Sequence, residues 1–487
     1  MKKILVVAVA SLLTGCSSQP ASTQGEKPAA TVTTIPTTSK SPEAITHFQK
    51  GEALLDNLRT EEAAEEFSQA LKLDPDFQLA RAYHGQATPG PDGVKEIESA
   101  KQSAGSLPEA ERVLIEGIAA NRRGDLADAR ASFTHLTELV PGDWRGHYLL
   151  GQQLMTEQKY ADAVQALKKA TALNANAGGA QNMLGYAALA QGDVDGAIAA
   201  LTEYARIQPQ EPNPQDSLGE ALLNAGRFKE SEAAFQKALE LSPQFWNAHE
   251  GIAFARFYAG DWAGGRDALA KAKAAATRRV DKISIDSEMA MAAAAQRNTA
   301  EALRIVDAAA KTEGVQPSEV AFFPVTRAQL LIDAGRARDA LAPVTAALKT
   351  AESGELPPAM SRNLRRGALR ARIAAETQMR NAAAAKETSA ALDQDASSRA
   401  DDPGAQSAMH YGRGQLALAQ GDAAAARAHF DQCSKADQTC QWQGVMAAEK
   451  AGDKAGAAAA REQLLKIYQR DPVHLLIRSR LAPRRTT

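Results

Sequence analysis

The 487-residue chain repeats itself every 34 residues, and that period limits its fold more than any other feature. Gly51 and Gly85 stand 34 positions apart, and Gly117, Gly151, Gly185 and Gly219 follow one another at the same interval. Twelve residues after a glycine comes a small residue: Ala63, Ala129, Ala163, Ala197 and Ser231. Four further on comes a bulky one: Phe67, Phe133, Leu167, Leu201 and Phe235. Pro75, Pro141, Pro209 and Pro243 close these units, with Ala175 in that place once. Such a period marks stacked supersecondary units that bury their apolar faces on one another. The glycine and the small residue suit two closely approaching helix backbones, and the bulky residue suits the gap between units. Proline ends a unit because it cannot continue the preceding helix. Gln191-Gly192-Asp193 and Ala259-Gly260-Asp261 read as the turn inside a unit. There glycine takes the positive-φ helix end and aspartate caps the next helix. No stretch alternates with period two, so no strand is expected.

These four positional classes, in fixed phase over residues 44–279, resemble the tetratricopeptide repeat family. The resemblance implies an all-α, right-handed superhelical solenoid with a concave inner face. Residues 78–109 form a degenerate unit, because Thr88-Pro89-Gly90-Pro91 cuts its first helix short. Beyond residue 279 the pattern loosens, but Ala302, Ala340, Ala385 and Ala426 look like the small second-helix position of further units. Residues 280–474 therefore read as divergent, Ala-rich repeats whose helices form readily. The whole array comes to about 10–12 helix pairs. Residues 475–487, with Arg478, Arg480, Arg484 and Arg485, read as a basic, solvated tail.

The N-terminus suggests a compartment. Lys2 and Lys3 precede an apolar run, Ile4 to Leu13, that is too short to span a bilayer and has the form of a signal-peptide core. The following Leu13-Thr14-Gly15-Cys16 resembles the lipobox of bacterial lipoproteins. That resemblance implies cleavage after residue 15, acyl chains on Cys16 and, with Ser17 next, delivery to the periplasmic face of the outer membrane. A multiply acylated cysteine holds a membrane without a transmembrane helix. An ordinary cleaved secretory signal with a free Cys16 is the alternative. Residues 16–43 are rich in Ser, Thr, Pro and Ala and read as a disordered tether.

With 56 Lys+Arg against 58 Asp+Glu, the near-neutral charge argues against a nucleic-acid partner. No nucleophile elbow, phosphate loop or metal-ligand spacing is present. Gly412-Arg413-Gly414 falls within a helical stretch with no preceding strand, and His249-Glu250 lacks a second histidine. No catalytic residue, metal or cofactor is expected. Cys433 and Cys440, seven apart, suit either a local disulfide in an oxidising compartment or two buried thiols.

By analogy with the family, first-helix positions line the inner groove. Here they include Arg145, Tyr148, Gln152, Asn182, Tyr186, Asp216, Glu220, Asn224, Glu250, Phe254, Phe257 and Tyr258. They make a mixed polar and aromatic surface suited to protein or peptide partners. Phe257 and Tyr258 are the aromatics expected to be most exposed. The clamp by which one subgroup holds acidic C-termini is absent, since Leu114, Ile118, Tyr148 and Gln152 stand at its first positions. The expectation is a lipid-anchored periplasmic scaffold for protein partners. The alternative is a sensor that binds a glycan or peptide in the groove.

Overall fold

A computed structural model describes residues 33–56, 59–312 and 314–482. Among them the chain is helical throughout, with no strand, and the helices run in antiparallel pairs. The first seven pairs are α1 (Pro42–Asp56) with α2 (Thr60–Leu73), α3 (Gln78–Ala87) with α4 (Gly90–Ser103), α5 (Glu109–Arg123) with α6 (Leu126–Leu139), α7 (Trp144–Thr156) with α8 (Tyr160–Leu173), α9 (Gly178–Gln191) with α10 (Val194–Ile207), α11 (Pro212–Asn224) with α12 (Phe228–Leu241), and α13 (Trp246–Ala259) with α14 (Trp262–Ala275). Then come α15 (Arg279–Ala295) with α16 (Thr299–Ala309), and a single turn, α17 (Pro317–Val320). The last four pairs are α18 (Phe323–Asp333) with α19 (Ala337–Glu352), α20 (Pro358–Gln378) with α21 (Ala382–Ser397), α22 (Pro403–Gln420) with α23 (Ala423–Phe430), and α24 (Gln438–Lys450) with α25 (Lys454–Leu465). A final helix, α26 (Pro472–Leu481), follows the twelve pairs. The architecture is an all-α solenoid, and no described helix is long and apolar enough to cross a membrane.

The repeat pattern has a direct packing cause. A Cβ placed on Gly51 would stand 2.5 Å from the Phe67 ring, and one on Gly117 2.5 Å from Phe133. Gly151 faces Leu167, and Gly185 faces Leu201, at the same 2.5 Å. The bulky residue thus fills the space left by the glycine sixteen positions earlier in its own pair. Phe235 also lies against Gly251 of the next pair, 2.4 Å from a Cβ there, so it bridges two units as well. The small position is fully buried at Ala63, Ala129, Ala163 and Ala197, and Ser231 donates its hydroxyl to the Gly219 carbonyl at 2.7 Å. In the C-terminal half Ala302, Ala340, Ala385 and Ala426 are all fully buried, and Phe430 sits on Gly414, 2.5 Å from a Cβ there. The loosened pattern there follows the same rule.

The turn inside a pair needs one residue at positive φ. Gly124, Gly192, Gly226, Gly260, Gly335, Gly421 and Gly452 supply it, with φ between 71° and 92°. Gln158, Arg297 and Arg380 hold the same place with side chains, at φ 57°, 65° and 57°.

Both ends of the array depart from expectation. The predicted tether, 16–43, is not free over its last third. Residues 33–41 lie across the starts of the fourth, third and second pairs. Asp143 Oδ2 accepts the Ile35 N–H at 2.7 Å, Glu111 accepts the Thr38 hydroxyl at 2.6 Å, and Asp74 accepts the Lys40 N–H at 2.8 Å. Ile35 is buried. Three acids about one repeat apart therefore bind an extended chain that offers donors every few residues. The predicted tail is corrected too: residues 475–481 belong to α26, and Leu475, Leu476, Ile477 and Leu481 are buried. Cys16 and Arg484–Arg485 lie outside the described residues.

Gly185→Leu would drive a side chain into fully buried Leu201, and such overpacking costs about 1–3 kcal/mol or more. Its thermal midpoint is expected below that of the parent. A melt unchanged from the parent would contradict this packing.

Candidate binding face

The first helices of the pairs turn one face inward, and that face has three stretches. The first is formed by α1, α3 and α7, which enclose a hollow of about 220 Å³ lined by Glu52, Asp56, Tyr83, Trp144, Tyr148 and Gln152. Gln152 donates to the Tyr148 hydroxyl at 2.8 Å, and that hydroxyl lies 3.5 Å from Asp56 Oδ1. The Trp144 and Tyr148 rings are 5.7 Å apart. Burial pushes the Glu52 carboxyl up to about 7, against the pull of Arg145, and the Asp56 carboxyl up to about 6. Arg145 is occupied: it pairs with Asp143 at 2.8 Å and donates to the Ile35 carbonyl at 2.9 Å. The superhelix is tight enough here that the first pair meets the fifth. Tyr204 donates its hydroxyl to the Asp56 carbonyl at 3.4 Å, and Arg59 stands 3.5 Å from Glu211. Asn182, on α9, keeps a buried Oδ1 without a hydrogen-bond partner.

The second stretch runs along α9, α11, α13 and α15, and the chain's own C-terminal segment fills it. Arg470 donates to both Asp216 oxygens at 3.2 Å, to Glu220 at 3.1 Å and to the Asn247 carbonyl at 3.0 Å. Tyr186 donates to Glu220 at 3.0 Å from the other side. Tyr258 donates to the Gln469 carbonyl at 2.7 Å, and the Tyr468 ring meets Phe228 and Tyr258 edge-on at 5.0 and 5.4 Å. The Arg478 guanidinium lies over Tyr468, 4.3 Å from its centroid. Glu250 and Glu288 complete an acid-rich surround. Burial is the main cause that raises Glu250 to about 7 and Glu288 to about 9, while Arg470 opposes both. Glu288 is 7% exposed and its Oε2 has no partner. Arg470 tips the balance by offering one buried cation to this cluster.

Beyond Arg470, Asp471 accepts the N–H groups of Val473 and His474 at 2.8 and 3.2 Å and so starts α26. The helix lies on α15 and also touches α24 and α25. Arg480 binds Asp333 at 2.9 Å through Nε and donates to the Ala294 carbonyl at 2.8 Å, satisfying the C-terminal end of α15. The eighth to twelfth pairs are thereby closed into a ring.

That ring surrounds the third stretch, a cavity of about 590 Å³. On one side Arg370 forms a two-armed pair with Asp437 at 2.7 and 2.9 Å and lies 4.3 Å over the Tyr411 ring. Asp437 also accepts the Ser407 hydroxyl at 2.8 Å and the Cys440 N–H at 3.0 Å. Cys433 and Cys440 are bonded to each other, with Cα atoms 6.3 Å apart, so the loop that presents Asp437 is closed by the disulfide. Cys433, Asp437 and Cys440 offer three ligand atoms within 4.8 Å of one another, but the sulfurs are joined and the carboxylate is committed to Arg370.

Several sequence expectations change accordingly. Tyr148 and Gln152 do line an inner hollow. Asp216, Glu220 and Tyr258 are taken up by residues 469–470 of the same chain, and Asn224 donates to the Glu220 carbonyl at 2.9 Å. Phe254 and Phe257 are 1% and 3% exposed and belong to the core, where the rings fill space left by small neighbours such as Gly265. The expected exposure of Phe257 and Tyr258 does not occur. Sequence reasoning missed the docked C-terminus, although Asp471-Pro472 followed by Leu475, Leu476 and Ile477 carries a helix-start signature. It also missed the large cavity, whose lining comes from pairs with no fixed spacing.

Models of the tetratricopeptide repeat match residues 44–77, 148–212 and 215–245. A comparison with curated proteins finds no match. Among solved structures, the chain is similar to a MamA protein at 21% identity, covering 34% of this chain and 91% of that one, with a TM-score of 0.31. It is similar to MamA from Desulfovibrio magneticus RS-1 at 20% identity, covering 34% and 95%, with a TM-score of 0.32. It is also similar to YrrB, described as a TPR protein with an unusual peptide-binding site, at 16% identity, covering 44% and 93%, with a TM-score of 0.29.

Arg470→Ala is expected to cost about 3–5 kcal/mol, because it strands the Asp216 and Glu220 carboxylates in a site built for a cation. Trypsin should then cut at Arg478 and Arg480 far faster than in the parent; unchanged digestion would contradict the docking. A pH effect follows from Glu288, whose folded pKa is raised above the ordinary glutamate value. Its neutral form contributes stability that is fully present below about 4.5 and is lost as pH rises towards about 9. Glu288→Gln should therefore raise the thermal midpoint at pH 8 and leave it nearly unchanged at pH 4.5. Equal shifts at both values would count against the assignment.

Proposed function

We propose that this tetratricopeptide-repeat protein is a lipid-anchored scaffold on the periplasmic face of the outer membrane, where it holds protein partners during envelope assembly or secretion. The observation that carries the interaction role is the repeat array itself. Twelve helix pairs bury their cores between units and leave an extended inner and outer surface, and repeats of this kind serve as protein-binding scaffolds. The Tyr148–Gln152 hollow is the part of the expected groove that the chain does not fill itself, and it is the proposed contact for a partner side chain. Support for the anchor comes from the lipobox-like Leu13–Cys16 alone. In this reading, docked Ile35 stands 19 residue steps after the lipid on Cys16, a reach of about 65 Å if fully extended.

Two measurements test this. Metabolic labelling with palmitate should mark the parent but not Cys16→Ser, and the parent should fractionate with the outer membrane. Release of the parent into the soluble fraction would overturn the anchor. A photo-crosslinking residue at position 152 should give a discrete adduct in cells that the same residue at exposed Lys169, on α8, does not. The same products from both positions, or none from 152, would overturn the contact.

A further inference from the structure

We infer that the hollow between α1, α3 and α7 takes a lysine side chain of the partner, with its ammonium group held by Glu52 and Asp56 among the rings of Tyr83, Trp144 and Tyr148. The inference rests on the reading of that hollow as a partner contact and names what enters it. Its volume of about 220 Å³ is below the roughly 300–1,000 Å³ of pockets for whole small molecules, and suits one long side chain.

Charge gives the hollow its sign. Glu52 and Asp56 stand four apart on α1 and so share one face of that helix. Among the described residues neither forms an ion pair; Asp56 Oδ1 lies 3.5 Å from the Tyr148 hydroxyl. Arg145 also lines the hollow, but it serves Asp143 at 2.8 and 3.1 Å and the Ile35 carbonyl at 2.9 Å. Its pull on Glu52 is outweighed by the burial that raises that carboxyl to about 7. With the Arg145–Asp143 pair neutral in sum, the lining keeps two acids with no cation committed to them.

The surroundings suit an ammonium on an apolar stem. Ring faces attract a cation, and the Trp144 and Tyr148 rings stand 5.7 Å apart beside the acids. Leu55 and Leu149 offer aliphatic surface for the stem. Gln152 donates its amide N–H to Tyr148 at 2.8 Å, which leaves its carbonyl oxygen as a further acceptor. Glu52, Asp56, Trp144, Tyr148 and Gln152 are half-buried rather than sealed, so a side chain can reach them.

An ammonium between the two acids favours their charged forms, so binding strengthens as pH rises through about 6 for Asp56 and about 7 for Glu52. The other groups that face them keep their charge states over this interval. Tyr83, Tyr148 and Tyr204 are raised above the ordinary tyrosine value, Arg145 is raised, and Asp143 is lowered.

The probe is acetyl-Gly-Lys-Gly-amide, titrated into the folded full chain and read from the Trp144 indole N–H resonance, which is assigned by its loss in Trp144→Phe. The control peptide carries norleucine, which keeps the stem and lacks the ammonium. The expected result is a saturable shift with the lysine peptide and none with the control. Affinity should rise about tenfold or more between pH 5 and pH 8, and fall by at least about tenfold in Glu52→Gln with Asp56→Asn, which keeps both side-chain shapes. Equal binding of the two peptides, no saturable shift, or binding unchanged in the double variant would overturn the inference. Should the double variant fail to fold, the two peptides and the pH series on the parent decide alone. In cells, a crosslink from position 152 that persists in the double variant would overturn the lysine and leave the contact standing, whereas no crosslink from 152 in the parent would overturn both.

Discussion

A guanidinium largely cut off from water requires fixed carboxylates around it, and Arg470 draws them from parts of the chain more than 180 residues earlier. Asp216 and Glu220 come from α11, Glu250 from α13 and Glu288 from α15. A repeat array ordinarily contacts only its nearest neighbours, and its curvature is the sum of small local rotations. Here one buried charge cluster adds a long-range condition. The twelfth pair has to return to the sixth, seventh and eighth, and α26 then lies on α15. Buried ion pairs contribute little net stability but are costly to break, so they favour one geometry over its neighbours. The cluster thus works more as a register pin than as a source of strength.

The rest of the inner face follows from that pin and from its counterpart at the other end. Asp74, Glu111 and Asp143 hold residues 33–41, and the first pair reaches the fifth through Asp56 and Tyr204. The groove expected of an open solenoid is therefore divided. A small hollow lies at the N-terminal side, the chain fills the middle, and a large cavity is closed over at the C-terminal side. Each compartment has different chemistry. The first has two carboxyls whose pKa values are raised towards neutrality beside three aromatic rings, and the last has a largely apolar interior with paired charges. Partners that meet this protein encounter compartments and an outer surface rather than one continuous trough.

The repeat was legible in the sequence because its physical cause is local. A glycine on one helix and a bulky residue sixteen later touch within one pair, so the spacing is fixed and the signal recurs. Even Ala302 and Ala385, in the diverged half, were readable by their phase and prove fully buried. The tether reading failed over residues 33–43 and the tail reading over 475–481 because composition speaks to what a segment can bury alone. Thr38 and Lys40 look like solvated polar residues until the folded array offers Glu111 and Asp74 at the right interval. Arg480 looks like part of a basic tail until distant Asp333 binds it. Phe257 and Tyr258 illustrate the same limit: an aromatic at a groove position is exposed only if nothing else in the chain reaches it. The large cavity has no sequence signature, since Met291, Arg370 and Trp442 converge only after five pairs have stacked and α26 has closed them.

Hydrogen exchange over residues 466–481 tests the closure most directly, since amides in a docked helix exchange only when it opens. The account predicts that the amides of α26 exchange as slowly as those of α15, its support. Exchange at the rate of an unprotected chain over 472–481, with α15 still protected, would show an open array and contradict it.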